Sequence, residues 1–326
     1  MIHETIKTRV VGVDIQIDTT TLAVIDVRGN IIAGESFTTG TNPNIGDFAS
    51  ILSERVMSIV EQNGGYESIR SLGICCPSAN YMTACIENAP NLPWKGVVPL
   101  AAMMRDRLGL AVALGNNAYA RGLGELAFGV AHGMKDFVLL TMGGGVGSCI
   151  FINGQYYAGH DGFAGEIGHS MARHEGRLCG CGNKGCLEMY CARKGIRMTA
   201  QEVMAESDKP SKMRLIEDLT VDQIVAFCDM GDELAIETLR RTGHVLGETL
   251  ANYATTINPE AFIFTGSVSR CGDWLFDPAW ESFNEHIFQN IKGKVKFLLS
   301  QFDEREANLL GASVLAWNVK EYSLFK

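Results

Sequence analysis

Short runs of apolar and β-branched residues near the start of the chain predict three successive strands. They cover Val10–Ile15, Thr21–Val27 and Ile31–Phe37, and the sequence Arg-Gly-Asn between the last two is typical of a turn. Because the connections are so short, the strands should form an antiparallel meander. Apolar residues then recur at helical spacing from Phe48 to Val60. Two further apolar runs, Leu72–Cys75 and Leu110–Leu114, have the composition of buried strands.

The same order of patterns recurs further along the chain. Phe137–Met142, Ser148–Asn153 and Gln155–Ala158 predict a second meander, with Asn-Gly as a hairpin turn between the last two strands. A long helix is predicted from about Asp232 to Thr256, followed by a buried strand at Ala261–Thr265. This repetition predicts two related α/β lobes, residues 1–117 and 118–307, with a cleft between them in which a ligand could bind.

Composition and charge exclude several classes of function. Of the 326 residues, 46% are apolar, the formal net charge is -9, and acidic residues are spread along the chain without a long basic run. Broad binding of nucleic acid needs a concentrated Lys/Arg surface, so we do not expect it. No apolar stretch approaches the roughly 18 residues of a membrane span, and the first residues lack a signal-peptide pattern. We therefore expect a cytoplasmic protein whose ten cysteines are reduced.

One cysteine-rich segment predicts a metal site. Cys179, Cys181 and Cys186 lie within eight residues, and the glycines between them let the backbone curl so that the three sulfurs converge. His169 precedes them and can supply a fourth ligand. Zinc prefers four such N/S ligands in a tetrahedron, and a site closed by four protein ligands is structural because it leaves no position for water.

The segments around this site resemble the ROK family of repressors and sugar kinases. The resemblance rests on Gly-Glu-Ile-Gly-His at 165–169, on Cys-x-Cys-Gly-x-x-Gly-Cys at 179–186, and on the Leu-Glu pair that follows. It implies the two-lobed actin-like ATPase or hexokinase fold, which is ribonuclease H-like, with a zinc knuckle. The segment Leu310-Gly311-Ala312 resembles the family's closing helix, which implies that 308–326 joins the first lobe. The resemblance further implies a homodimer.

The resemblance also implies a sugar site for a hexose or an N-acetylhexosamine. Glu166, His169 and Glu188 would bind sugar hydroxyls, because carboxylates accept hydrogen bonds from hydroxyls and a zinc-held imidazole is fixed in orientation. Asn91 lies in a segment that resembles the one before the family's sugar site, and Asn116 belongs to the segment that resembles the family's Asn-Asp-Ala.

The resemblance also implies a nucleotide site, which would bind the phosphate donor. A glycine-rich turn after a strand can hold phosphate with its backbone N–H groups. The resemblance gives this role to the family's second phosphate loop and assigns Gly266 to the adenosine side. Asp14 follows the first strand and could hold magnesium through water. ATP and magnesium are thus the implied cofactors, with the loop glycines at Gly143, Gly144, Gly145 and Gly147.

Two departures from the family pattern weaken the expected chemistry. Family kinases resemble Asp-x-Gly-Gly-Thr after the first strand, whereas this chain continues from Asp14 with Ile-Gln-Ile-Asp, so Gln16 and Asp18 occupy the phosphate loop. Repulsion between Asp18 and ATP would be roughly 4 kcal/mol per charge pair, unless Asp18 itself holds magnesium. Asn117 stands where the family's general base is aspartate, and an amide cannot take the proton, although it can still hydrogen-bond a sugar hydroxyl. Loss of a general base costs about 10²–10⁴ in rate.

Three functions are consistent with these patterns. The first is a degenerate kinase that binds the sugar but transfers phosphate weakly or not at all. The second is an active ATP-dependent hexokinase, that is, a glucokinase or an N-acetylhexosamine kinase with an unusual base. The third is a sugar-responsive transcription regulator, which the family resemblance associates with an added N-terminal helix-turn-helix. The first strand begins near Val10, and the chain is acidic, so the sequence favours this third function least.

Overall fold

The computed structural model describes residues 7–319, which divide into two compact units. Unit 1 contains residues 7–133, 158–164 and 301–319, and unit 2 contains residues 134–157 and 165–300. The lobe boundary predicted near Asn117 lies at the start of a helix within unit 1, whereas the units part at Gly133. No helix among the residues described is both long and apolar enough to cross a membrane.

Unit 1 is built on a five-stranded sheet. Its strands are β1 (Arg9–Ile15), β2 (Thr19–Asp26), β3 (Ile31–Thr38), β4 (Ile69–Cys75) and, further along, β8 (Ala111–Gly115). The order across the sheet is β3-β2-β1-β4-β8. The first three strands form the antiparallel meander, and β4 and β8 add to β1 in parallel. Alternate residues of β3 are only half-buried and the others are exposed, because β3 is the edge strand, whereas β1 and β4 are buried along nearly their whole length.

Helices and a small second sheet complete the first segment of unit 1. Apolar residues of α1 (Ile45–Gln62) pack into the same core as the sheet, and Asn44 caps this helix with its side chain. The helices α2 (Leu100–Leu108) and α3 (Asn117–Phe128) flank β8. Three short strands that the sequence did not predict form the small sheet: β5 (Ala79–Asn80), β6 (Cys85–Glu87) and β7 (Val97–Val98).

Unit 2 repeats the strand arrangement of unit 1. Its strands are β9 (Phe137–Met142), β10 (Val146–Ile152), β11 (Gln155–Tyr156), β12 (Ala261–Thr265) and β13 (Lys296–Leu299). The order is β11-β10-β9-β12-β13, again with an antiparallel meander followed by two parallel strands. The two predicted meanders and the repeat are therefore present, and the fold is the α/β architecture expected from the resemblance.

Five helices surround this second sheet. They are α4 (Glu188–Cys191), α5 (Arg193–Ala205), α6 (Val221–Asp229), α7 (Glu233–Ile257) and α8 (Asp273–His286). The predicted long helix is α7. Asp232 caps its start by accepting from two backbone N–H groups, and Asn258 ends it in the left-handed conformation, with Pro259 next in the sequence.

The last described helix, α9 (Glu304–Asn318), returns to unit 1 and packs on β1, β4 and α3. Glycines allow this contact. A Cβ added to Gly73 would lie 1.9 Å from the Ala312 carbonyl oxygen, and one added to Gly311 would lie 1.9 Å from that of Ala120. The Ser71 hydroxyl also donates to the Ala316 carbonyl at 2.7 Å. Backbones therefore meet closely at the place where the closing helix covers the sheet.

Candidate functional site

The predicted metal ligands come together in unit 2. The ligand atoms of His169, Cys179, Cys181 and Cys186 all lie within 4.8 Å of one another. The Cys179 Sγ is 3.7 Å from His169 Nδ1, and the Cys181 and Cys186 sulfurs are 3.6 Å apart. A tetrahedron with bonds of about 2.3 Å has edges of roughly 3.8 Å, so these spacings and this donor set fit a zinc ion.

The backbone of the cysteine segment explains this convergence. The segment folds back on itself, with bridges between Met171 and Cys186 and between Leu178 and Lys184. Gly182 and Gly185 have φ values of 94° and 77°, a conformation that favours glycine. A Cβ on Gly185 would lie 1.7 Å from the Arg173 carbonyl oxygen, so this glycine is required by close approach as well as by its φ.

The two glutamates predicted to bind sugar lie beside the Cys/His cluster. Glu188 is the first residue of α4, its Oε2 accepts from the Val146 N–H at 2.9 Å, and its Oε1 lies 4.0 Å from the Cys179 Sγ. Glu166 is exposed at the surface, yet partial desolvation raises the pKa of its carboxyl group, His169 lowers it, and the nearby charge of Glu188 raises it further. Glu166, His169 and Glu188 therefore form one electrostatically linked group.

The predicted phosphate loop is a tight turn between β9 and β10. Gly143 N–H donates to the Gly145 carbonyl at 2.9 Å, and a Cβ on Gly145 would lie 2.5 Å from Glu188 Oε2. Gly147 lies beyond the turn, inside β10, where it pairs with Thr141. The glycine turn between β9 and β10 and the Glu188 side chain are thus in direct contact.

Gly266 lies next to the same turn. It follows β12 with φ 95°, and a Cβ on it would lie 2.5 Å from the Met142 carbonyl oxygen at the end of β9. The neighbouring Ser267 Oγ is 3.5 Å from the position of a Cβ on Gly143. Unit 2 therefore brings the loop glycines and the predicted adenosine-side glycine together at the carboxyl ends of the parallel strands β9 and β12.

In unit 1, Asp14 is a buried carboxylate with several partners. It is 4% exposed, and it accepts from Asn308 Nδ2 at 2.9 Å and from Gln16 Nε2 at 2.6 Å. Burial raises the pKa of Asp14, while hydrogen bonds from Asn308, Gln16 and the Cys75 thiol lower it. Asn308 also accepts from Arg121 Nε at 2.6 Å, which extends the network to a buried cation. Gln16, which lies in the predicted phosphate loop, therefore donates directly to Asp14.

Sequence reasoning missed Asn308 and Arg121. Neither residue belongs to a motif, and each lies on a helix remote in sequence from Asp14. The available signal was the presence of a polar residue within an otherwise apolar stretch of α9, since a buried asparagine needs partners.

Asn116 and Asn117 begin α3 and differ in their hydrogen bonding. Asn116 caps the helix, and its Oδ1 accepts from the Tyr119 N–H at 2.7 Å. The Asn117 Oδ1 is buried but has no hydrogen-bond partner within residues 7–319. A buried acceptor without a partner carries a desolvation cost, and a donor on a ligand would remove that cost.

Asn91 lies in the loop between β6 and β7, where it lines a cavity of ≈ 420 Å³ together with Asp18, Thr38 and Leu92. Asn91 and Asp18 are both exposed. Asp18, which belongs to the altered phosphate loop, thus lines the same cavity as a predicted sugar-side residue.

Comparison with known proteins gives one consistent result. The sequence model of the ROK family matches residues 10–319. A glucokinase of Halalkalibacterium halodurans is 30% identical over 95% of this chain and 94% of its own length. A xylose repressor of Bacillus subtilis is 26% identical over 93% of this chain and 75% of its own length. The crystal structure of a ROK family glucokinase from Streptomyces griseus, in complex with glucose and AMPPNP, covers 95% of this chain and 99% of its own, with 28% identity and a TM-score of 0.73.

Proposed function

Because this chain belongs to the ROK family, we propose that it binds a hexose or an N-acetylhexosamine and that its transfer of phosphate from ATP is weak or lost. One observation carries this proposal: the side chain at position 117 is an amide whose buried oxygen has no partner in the described chain. A sugar hydroxyl can donate to that oxygen, so binding is favoured. The same oxygen cannot hold the proton of the hydroxyl, so attack on ATP lacks a general base.

The Cys/His cluster would organise the sugar side of the site. His169 Nδ1 faces the cysteine sulfurs, so this nitrogen would hold the zinc ion and leave Nε2 free to bind a sugar hydroxyl. Zinc would supply rigidity here rather than a reactive water, because all four ligands come from the protein. The Glu166 carboxylate and Glu188 Oε1 would accept from further hydroxyls, since Glu188 Oε2 already accepts from Val146.

The nucleotide side supports weak transfer. Gln16 donates to Asp14 at 2.6 Å and so competes with any magnesium-bound water for that carboxylate oxygen. Burial also raises the pKa of Asp14, which works against the charged form that magnesium needs. Asp18 adds a negative charge in the segment that replaces the family's glycine loop.

An active ATP-dependent hexokinase is the second candidate. The retained turn at Gly143–Gly145 and the similarity to a glucokinase over nearly the whole chain favour it. A sugar-responsive regulator is a third candidate, supported by the similarity to a xylose repressor, but the net charge of -9 does not favour binding to DNA.

A two-part experiment separates these functions. Calorimetric titration with glucose, mannose, N-acetylglucosamine and N-acetylmannosamine measures binding, and a coupled assay for ADP measures turnover. We expect at least one sugar to bind, with little turnover by the unmodified chain. Asn117→Asp should raise turnover by about tenfold or more, because it restores a carboxylate at the base position. Rapid turnover of any sugar by the unmodified chain would contradict weak transfer.

Asn116→Asp is the matched control for this substitution. It adds the same charge one residue earlier, where the side chain caps α3, and aspartate is an equally good cap. It should not raise turnover, because the side chain at 116 is engaged with the backbone of α3 and does not occupy the base position. An equal rise in both variants would show that charge near α3, rather than a base at 117, limits the reaction.

The remaining features of this proposal concern the state of the protein. We include one structural zinc per chain, a cytoplasmic location and a homodimer. Sedimentation and metal analysis of the purified protein test the dimer and the zinc content, respectively.

A further inference from the structure

We propose that Arg193 is a phosphate-binding residue of the nucleotide site, with its guanidinium held over the Gly143–Gly145 turn. Arg193 is the first residue of α5, and its backbone N–H donates to the Gly143 carbonyl at 2.9 Å. Its Nη2 lies 3.3 Å from the position of a Cβ on Gly144. This inference rests on the proposed function, because it assigns the turn to the phosphates of ATP or ADP.

Arg193 has no anionic partner in the described chain. Arg214 of unit 2 also lacks one, but its guanidinium donates to the Lys209 and Ser207 carbonyls. Arg173, Arg177 and Arg197 each form an ion pair with a carboxylate. So do Arg240, Arg241 and Arg270. The Arg193 guanidinium is exposed and, among residues 7–319, donates to no side chain or carbonyl. Its donors are therefore available to a ligand.

The turn beneath Arg193 offers further donors. Gly143 N–H is engaged within the turn and Val146 N–H donates to Glu188, whereas Gly144 and Gly145 N–H have no acceptor in the part of the chain described. Two free N–H groups and a guanidinium that converge on one turn are suited to a phosphate group, which accepts several charge-assisted hydrogen bonds.

The negative charge of Glu188 beside the turn also favours a cation at this place. Glu188 Oε2 lies 2.5 Å from the position of a Cβ on Gly145, so a carboxylate is in contact with the loop that would receive an anion. Arg193, on the Gly144 side, offsets this charge. Without it, a nucleotide phosphate at the turn would meet the Glu188 carboxylate with only neutral donors between them.

Nucleotide binding by variants of Arg193 tests the proposal. ADP and adenosine are titrated by calorimetry into the full chain, into Arg193→Gln and into Lys194→Gln. The last variant removes the adjacent exposed charge on the same helix and serves as the matched control. We expect the ADP affinity of Arg193→Gln to fall by about tenfold, with adenosine binding unchanged and with Lys194→Gln similar to the unmodified chain.

Inorganic tripolyphosphate serves as a probe without a base, and its affinity should fall in the same proportion. Arg193→Lys should restore only part of the affinity, because an ammonium lacks the guanidinium's paired donors. Thermal unfolding of each variant checks that it is folded.

Three results would overturn the proposal: equal ADP affinity in Arg193→Gln and the unmodified chain, an equal loss in Lys194→Gln, or no ADP binding by the unmodified chain. Sugar titrations on the same samples keep the two proposals distinct. If the unmodified chain binds no sugar, the result counts against the proposed function. A change in ADP affinity with sugar binding intact concerns only the role of Arg193.

Discussion

Replacing Asn308 with alanine should strongly destabilise unit 1. Asn308 is 1% exposed, donates to Asp14 and accepts from Arg121, so the substitution leaves two buried, ionisable groups with one partner fewer each. A hydrogen bond to a charged group contributes about 1.5–3 kcal/mol, which gives a loss of roughly 3–6 kcal/mol before relaxation. Arg121 keeps its ion pair with Glu304, and Asp14 can take up a proton, so we expect about 3–5 kcal/mol.

The loss should depend on pH in a defined direction. Burial raises the pKa of Asp14 in the folded protein, and the hydrogen bond from Asn308 is the largest contribution that lowers it. Protonation of Asp14 therefore stabilises the folded state. This contribution to the free energy of unfolding is lost as the pH rises through the pKa that Asp14 has in the folded protein. Without Asn308 the pKa rises further, so the variant should lose more free energy at about pH 7.5 than at about pH 5.

Hydrogen exchange measured by mass spectrometry in increasing urea reports on unit 1 alone, through peptides of β1 and α9. Ser313→Ala is the control, because Ser313 is buried on the same helix and its hydroxyl donates to the Leu310 carbonyl rather than to a charged group. It should cost about 1 kcal/mol or less. Adding Asp14→Asn to the Asn308 variant should recover part of the loss. A loss below about 1 kcal/mol at neutral pH, or one that is the same at both pH values, would refute this reasoning.

Three further predictions concern the metal, the phosphate loop and the closing helix. Purified protein should carry about one zinc per chain, which Cys186→Ser should lose and Cys271→Ser should retain in metal analysis; equal zinc in both variants would contradict the proposed site. Gln16→Gly should strengthen binding of magnesium ADP by about five- to tenfold in calorimetry, because it frees an oxygen of Asp14; unchanged affinity would mean that Gln16 does not block the site. Gly311→Ala should lower the free energy of unfolding, measured in urea, by about 1–3 kcal/mol, because the added Cβ would lie 1.9 Å from the Ala120 carbonyl oxygen. This loss should exceed the gain from the higher helix propensity of alanine. A stabilised variant would contradict this.

The regular parts of the fold follow from the sequence pattern. The two meanders were predictable because apolar runs separated by five residues or fewer leave few alternatives. Helix α7 was predictable because its apolar residues keep helical spacing over many turns, and because Asn258-Pro259 provides a stop signal. The short strands β5 to β7 were not predictable, since strands of two or three residues carry almost no periodicity.

The site divides in the same way. The Cys/His cluster was predictable because its ligands lie close in sequence and their spacing reflects the geometry of the metal. The network of Asp14, Asn308 and Arg121 was not, because its members come from β1, α9 and α3 and only tertiary packing brings them together. The two contacts of Glu188, with the Val146 N–H and with the Cys179 sulfur, were likewise absent from the sequence pattern, since a carboxylate next to a cysteine-rich segment can equally point into solvent.

The return of α9 to unit 1 has a consequence for synthesis of the chain on the ribosome. Unit 2 is nearly continuous in sequence, so its core can form as soon as it emerges. One face of the sheet of unit 1 cannot be covered at that stage, because Val10, Ala23 and Ile25 pack against Leu309 and Ala316, which are translated much later. Until then this apolar face is open to chaperones and to other nascent chains. A message truncated before α9 should therefore yield an aggregation-prone product even though nearly every predicted site residue has already been made.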